Sequence, residues 1–322
     1  MSSSETQRVY GGSSIRHCVL HCHPPNSHGE LRGIQYFVFV ILRACSGYPE
    51  NKLTGTIGLC YSLVMLIATT ILASIFASFF VTLGMRVNQY IAKNQPIDYY
   101  QLLFGRSHCN ACQSSLNPIQ LIPIVGLGFY RGQCPKCKQK ISWSSVGWEI
   151  VYIVGFTSLV AYQSYQFDLE LALDLVFFSF AYVGVITDWY YRLLPDFVLR
   201  IVVVVGLLEF GLSRPAVDSV LWQLATIGSL ILINRFTKER LLGKGDLWLV
   251  VGINLSLAGI RLMIAYLAAI YLATIVGLVG IVTRKLNLKS SIAFGPFLVL
   301  GWWIAKTNLV KFDWLIESLK WF

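Results

Sequence analysis

Long apolar runs joined by short polar connections fill the chain from residue 57 onward. The runs fall at about 57–83, 147–164, 171–188, 197–213, 219–234, 246–260, 262–283 and 292–310. A helix needs about 20 apolar residues to cross a hydrocarbon core of roughly 30 Å, and several of these runs approach or exceed that length. Lipid offers a bare backbone no hydrogen-bond partner, so an apolar run in a bilayer must be helical. The pattern predicts an all-α polytopic membrane protein with about eight transmembrane helices. It also sets a polar loop, 84–146, between the first helix (57–83) and a membrane core (147–311), with a tail at 312–322.

Composition agrees with this picture. Hydrophobic residues make up 55% of the chain and charged residues 13%, whereas soluble domains average about 25% charged. Mean hydropathy is +0.61. The net charge of +10 could suggest a nucleic-acid partner, but its distribution gives another reading. Placing 84–146, 189–196, 235–245 and 284–290 on one side collects fifteen of the 26 Lys and Arg. The opposite short connections hold only Arg214 and Arg261. An excess of Lys and Arg marks the cytoplasmic side of a membrane protein. The basic excess is therefore read as topology, with membrane lipid and no nucleic acid as the expected surroundings.

Residues 1–56 break the pattern. They form a polar extension rich in Ser and Gly, and the run 34–42 (IQYFVFVIL) is too short to span. That run also lies far from the start and lacks the small-residue cleavage site of a signal peptide. An outward-facing start would require moving this segment, with its five Lys and Arg, across the membrane without an export signal. We expect the natural protein to start at Met65, with the extension not native. Recovery of a peptide from 1–60 in the natively expressed protein, by mass spectrometry, would exclude that. His17, Cys18, His21, Cys22, His23 and His28 have metal-binding chemistry but read as a tail that captures metal without function. Cys45 and Cys60 have no partner motif and read as inert.

The loop 84–146 carries HCNAC and QCPKC, which place Cys109 and Cys112 in one Cys-x-x-Cys turn and Cys134 and Cys137 in another. Each such turn presents two thiolates to one tetrahedral ion, and two of them close the shell of a structural zinc. Paired disulfides are disfavoured in a reducing cytoplasm, and a thioredoxin-like redox site would need a βαβ setting that the segment lacks. Four thiolates leave no open position for water, so zinc is expected to fold the loop and perform no chemistry.

Two carboxylates lie where an apolar chain should avoid them: Asp188 in ITDWYYRLLPD and Asp246 in GKGDLWLV. An ionisable side chain at a span or its edge marks a functional site by default. Two carboxylates that share a proton can carry out aspartyl proteolysis. Asp188 ends an apolar run and faces the negative end of the helix dipole, so capping does not account for it. The alternative is an interfacial residue pointing into the cytoplasm. Asp246 could cap its own helix, but Gly243 and Gly245 allow positive φ or a close backbone approach that would turn it toward a partner. Asp196, just before FVLRIVVVVGLL, reads as an ordinary N-cap. Asp174 in LALDLVFF reads as solvated and structural, Lys244 as either an electrostatic tuner or a topology signal. Gly295-Pro296 reads as either a helix start or a hinge beside the site.

Taken in order, ASFFVTLGMRV, RSHCNACQSSL…LIPI…RGQCPKCKQKIS, Asp188 with LLPD, GKGD and FGPFL resemble the prepilin peptidases, membrane aspartyl proteases of the GxGD type. The resemblance runs from about residue 72 to 305 and is nearest in character to the competence-associated branch of Gram-positive bacteria. It departs after the first span, where the family usually has Asn-x-x-x-x-Arg and this chain reads GMRVNQY. The resemblance implies that Asp188 and Asp246 are the catalytic pair and that Cys109, Cys112, Cys134 and Cys137 hold zinc. It also implies a pilin-like precursor as substrate, with a basic leader ending in Gly before an apolar helix, cleaved at the cytoplasmic face of a bacterial cell membrane. Some members methylate the new N-terminus with S-adenosylmethionine, an activity that no motif in this chain marks. The competing reading is a membrane scaffold whose zinc loop docks a cytoplasmic partner. A proton-relaying transporter would show repeats between the two halves of the chain, and none is visible.

Overall fold

The structure, a computed structural model, describes residues 50–105, 112, 114, 133, 134, 136–138, 143–165, 167–213, 217–236, 243–287, 290 and 292–307. The histidine and cysteine cluster of the N-terminal extension, Cys109 and the C-terminal tail lie outside the described residues. Residues 62–322 form one compact unit, and residues 1–61 another. Every apolar run of the sequence contains a helix. These are α1 (Glu50–Ala92), α3 (Trp143–Tyr162), α4 (Leu169–Tyr191), α5 (Asp196–Ser213), α6 (Val217–Phe236), α7 (Lys244–Ser256), α8 (Ile260–Val282) and α9 (Gly295–Thr307). A short α2 (Tyr99–Phe104) lies in the polar loop, capped by the Asp98 carboxylate, which accepts from the Tyr100 and Gln101 N–H groups.

Among the described residues, five stretches are long and apolar enough to cross a membrane: Ser62–Ala92, Ser144–Tyr162, Leu169–Tyr191, Ser219–Phe236 and Ile260–Val282. Helix α7 has 13 residues, which at 1.5 Å per residue is about 20 Å and short of a full crossing. The physical reason is visible at its end. Leu257 leaves α7 in an extended conformation, and Gly259, at φ +59°, turns the chain into α8.

Helix α4 is the centre of the bundle, with 61% of its most apolar window buried against 12–33% in the other four. Its neighbours include α3, α5 and α9, while α5 also packs on α7 and α8 on α9. Between apolar helices in lipid, small residues permit the close approach that van der Waals packing needs. Gly206 of α5 faces Gly252 of α7 so closely that a Cβ on Gly206 would stand 2.6 Å from the Gly252 carbonyl oxygen. Helix α1 is tied to the polar loop by Arg86, whose guanidinium donates to the Leu102 carbonyl at 2.8 Å and to the Gly105 carbonyl at 2.5 Å.

Candidate functional site

Asp188 occupies the last turn of α4 and is only 5% exposed. The helix ends because Arg192 adopts the left-handed conformation, φ 55°, and its N–H donates back to the Asp188 carbonyl. The carboxylate itself does not point into water. Its Oδ2 accepts the Gly295 N–H at 2.9 Å, across a sequence separation of 107 residues. Gly295 opens α9, so this donor is one of the unpaired N–H groups at a helix start. The charge of Arg192 also reaches Asp188.

Asp246 sits in the first turn of α7, after the N-cap Gly243. The Gly243 backbone N–H donates to its carboxylate, which resembles the returning half of a capping box. Its Oδ1 is buried and has no hydrogen-bond partner among the described residues. The charge of Asp188 reaches Asp246. The two carboxylates, 58 positions apart in sequence, therefore share one end of the bundle.

Leu194, in the connection between α4 and α5, packs against both α4 and α7. Its side chain would lie 3.0 Å from a Cβ on Gly184 of α4 and 2.9 Å from one on Gly245 of α7. Gly243 and Gly245 thus serve a purpose other than positive φ. Gly243 is extended at φ −65°, and Gly259 is the glycine with positive φ among the described residues. Gly245 is required for close approach.

Gly295 packs directly against the Asp188 carboxylate. A Cβ there would stand 2.8 Å from Oδ2 of Asp188, closer than real Cβ contacts allow. Gly295→Ala is expected to push α9 away from the carboxylate and lower activity at least tenfold with helix content unchanged. A membrane activity assay paired with circular dichroism would check this, and wild-type turnover by the variant would refute the contact's importance.

Two other sequence expectations fare differently. Asp196 is exposed and is the first residue of α5 itself, favourable to the helix dipole there. Asp174 is not solvated: it is 1% exposed and its Oδ1 lies 2.5 Å from Lys306 Nζ. Lys306 also reaches Glu209 Oε2 at 3.1 Å, and Ser256 donates to the same oxygen at 2.5 Å. This cluster joins the far ends of α4, α5, α7 and α9. Sequence reasoning missed it because Glu209 and Lys306 each look like a lone interfacial charge.

In the polar loop, Cys112, Cys134 and Cys137 bring their Sγ atoms within 4.8 Å of one another. The Cys112 and Cys134 sulfurs are 3.8 Å apart. Tetrahedral ligation at Zn–S of about 2.3 Å separates sulfurs by about 3.8 Å, so the three described thiols fit such an ion. The group could hold a metal.

Residues 71–163, from α1 through α3, match the model of the bacterial peptidase A24 N-terminal domain. A prepilin leader peptidase/N-methyltransferase of Bacillus subtilis (strain 168) is 27% identical over 243 residues, covering 74% of this chain and 92% of that protein. The chain thus resembles the prepilin leader peptidases both in this N-terminal domain and over most of its length. Proteins of the same name from Neisseria gonorrhoeae and Pectobacterium carotovorum are each 29% identical, over 65% and 64% of the chain and 73% and 75% of their own lengths. No solved structure matches the chain. The family's N-terminal domain encloses the cysteine turns, and Asp188, Asp246 and Gly295 follow it in the chain.

Proposed function

We propose that this chain is an integral-membrane aspartic endopeptidase of the cytoplasmic membrane. It removes the short basic leader from type IV pilin-like precursors, of the competence pseudopilin kind, at the cytoplasmic face. One observation carries the reading: Asp246, with a buried and unpaired oxygen, lies within reach of the charge on Asp188. An ionisable side chain in a membrane bundle marks a functional site by default.

In the reaction, one aspartate is ionised and takes a proton from water as the water oxygen bonds to the scissile carbonyl carbon. The other is protonated and donates to the carbonyl oxygen. The C–N bond of the resulting tetrahedral diol then breaks, the amine leaves with the proton taken from water, and the diol proton returns to the second aspartate. The Gly295 N–H fixes the Asp188 carboxylate while this happens, and the protons belong to the pair as a unit.

The test is co-expression in membranes with a precursor bearing a basic leader, Gly and an apolar helix. Wild type is expected to release the leader after Gly, read by N-terminal sequencing of the product. Well-inserted wild type that cleaves none of a panel of such precursors overturns the reading and favours the zinc-loop scaffold.

Zinc, held by Cys109, Cys112, Cys134 and Cys137, would supply folding of the loop and no step of the hydrolysis. Cys134→Ser is expected to drop the metal content from about one zinc per chain toward zero and to expose the loop to limited proteolysis. Full zinc retention would remove the assignment. The relatives' double name extends the reading to methylation of the amine that cleavage exposes, with S-adenosylmethionine as donor. Transfer of labelled methyl to the cleaved product by wild type is the expected result.

A further inference from the structure

An apolar cavity of about 330 Å³ opens between α3, α4 and α9. Its walls include Val151 and Val154 of α3, Val185 and Trp189 of α4, and Pro296 and Leu300 of α9. Its walls include chain neighbours of Asp188 and Gly295, though neither of those residues lines it. Val185 lies three residues before Asp188 and Trp189 directly after it, while Pro296 follows the Gly295 whose N–H holds the carboxylate. The cavity also opens sideways, since Val154 is 56% and Leu300 42% exposed at the bundle surface. Its volume is roughly twice the ~150 Å³ that holds one benzene ring in a protein interior, enough for two large apolar side chains.

We infer that this groove seats the apolar segment that follows the scissile bond of the substrate, bound as a helix against α3 and α9. The inference rests on the peptidase reading. Trp189 and Pro296 line the groove and directly follow Asp188 and Gly295, so the chain beyond a bond cut at Asp188 has this apolar channel to enter. The groove's walls include stretches of α3 and α4 long and apolar enough to cross a membrane, so an entering chain must satisfy its own backbone hydrogen bonds and is therefore helical. Two apolar side chains of that helix, one turn apart on one face, fill the cavity and fix which peptide bond meets the carboxylates. Specificity on this side of the cleavage point is then a matter of side-chain size, not of charge.

The experiment uses the full chain in membranes, with a photoreactive benzoylphenylalanine in place of Val154, Leu300 or, as a control, Leu207. Leu207 is 56% exposed on α5, outside the groove. In the Asp246→Asn background, a precursor of basic leader, Gly and apolar helix should cross-link at positions 154 and 300, within its first turns after the Gly, and not at 207. Val151→Trp, which fills the groove, should slow cleavage at least tenfold, while Leu207→Trp leaves it within twofold. Equal cross-linking at 207, or label recovered only on lipid, in membranes whose wild type cleaves, overturns the groove assignment and leaves the peptidase standing. A wild type that cleaves no precursor removes the peptidase reading and this inference with it.

Discussion

Asp188→Asn and Asp246→Asn are each expected to slow precursor cleavage by roughly 10²–10⁴-fold, the range that a positioned acid or base contributes. Asparagine keeps the shape of the side chain and an oxygen able to accept the Gly295 N–H that Asp188 accepts at 2.9 Å. What it loses is the ability to take or give the proton. Packing around α4 and α7 should therefore survive, and membrane insertion, measured by protease protection or tag accessibility, should match wild type. Asp196→Asn is the internal control. That residue is exposed at the start of α5, and its loss removes a dipole interaction of about 0.3–1 kcal/mol, so cleavage should stay within about twofold. Near-normal cleavage by either member of the pair, in well-inserted protein, would refute a mechanism that needs both. Loss in Asp196→Asn equal to that in the pair would point to a general structural effect.

The helices were legible in the sequence because each apolar run is bounded by polar residues and lipid leaves the backbone no other option. Their ends were not. The run 292–310 yields a helix only from Gly295, and 246–260 stops at Ser256, because tertiary packing decides where an apolar backbone turns. The same limit governs the site. Asp188 and Asp246 stood out as charges out of place, and Gly295-Pro296 could be read as a hinge beside them, yet nothing local says that the Gly295 N–H, 107 residues on, donates to Asp188. The glycines of GKGD were read as allowing positive φ and close approach, and the structure uses the second: Gly245 has no side chain to meet Leu194. A sequence shows that a glycine is present and not which of its two properties matters. Asp174 was misread for a related reason: a carboxylate near a helix end looks solvated until its partner, 132 positions away, is found beside it.

That partner gives the second large effect. Lys306→Met should destabilise the protein by about 3–5 kcal/mol, the cost of removing one member of a buried ion cluster. Lys306 Nζ stands between Asp174 Oδ1 at 2.5 Å and Glu209 Oε2 at 3.1 Å, with Gln163 donating to Asp174 at 3.1 Å and Trp302 donating to Ser256 at 2.9 Å. Without the ammonium, two carboxylates 1% and 5% exposed are left facing each other with no cation between them. Lys306 is carried on α9, the helix whose other end offers Gly295 to Asp188. Eleven residues separate them, about 16 Å along the axis, so the cluster sets how deep α9 sits and thus where its first N–H lies. Activity should fall together with thermal stability in detergent. Neutralising all three charges at once, by Lys306→Met with Asp174→Asn and Glu209→Gln, should recover most of the stability, because no charge then remains to be buried. A single Lys306→Met variant within about 1 kcal/mol of wild type would show that the cluster is solvated in the membrane and does not hold α9 in place.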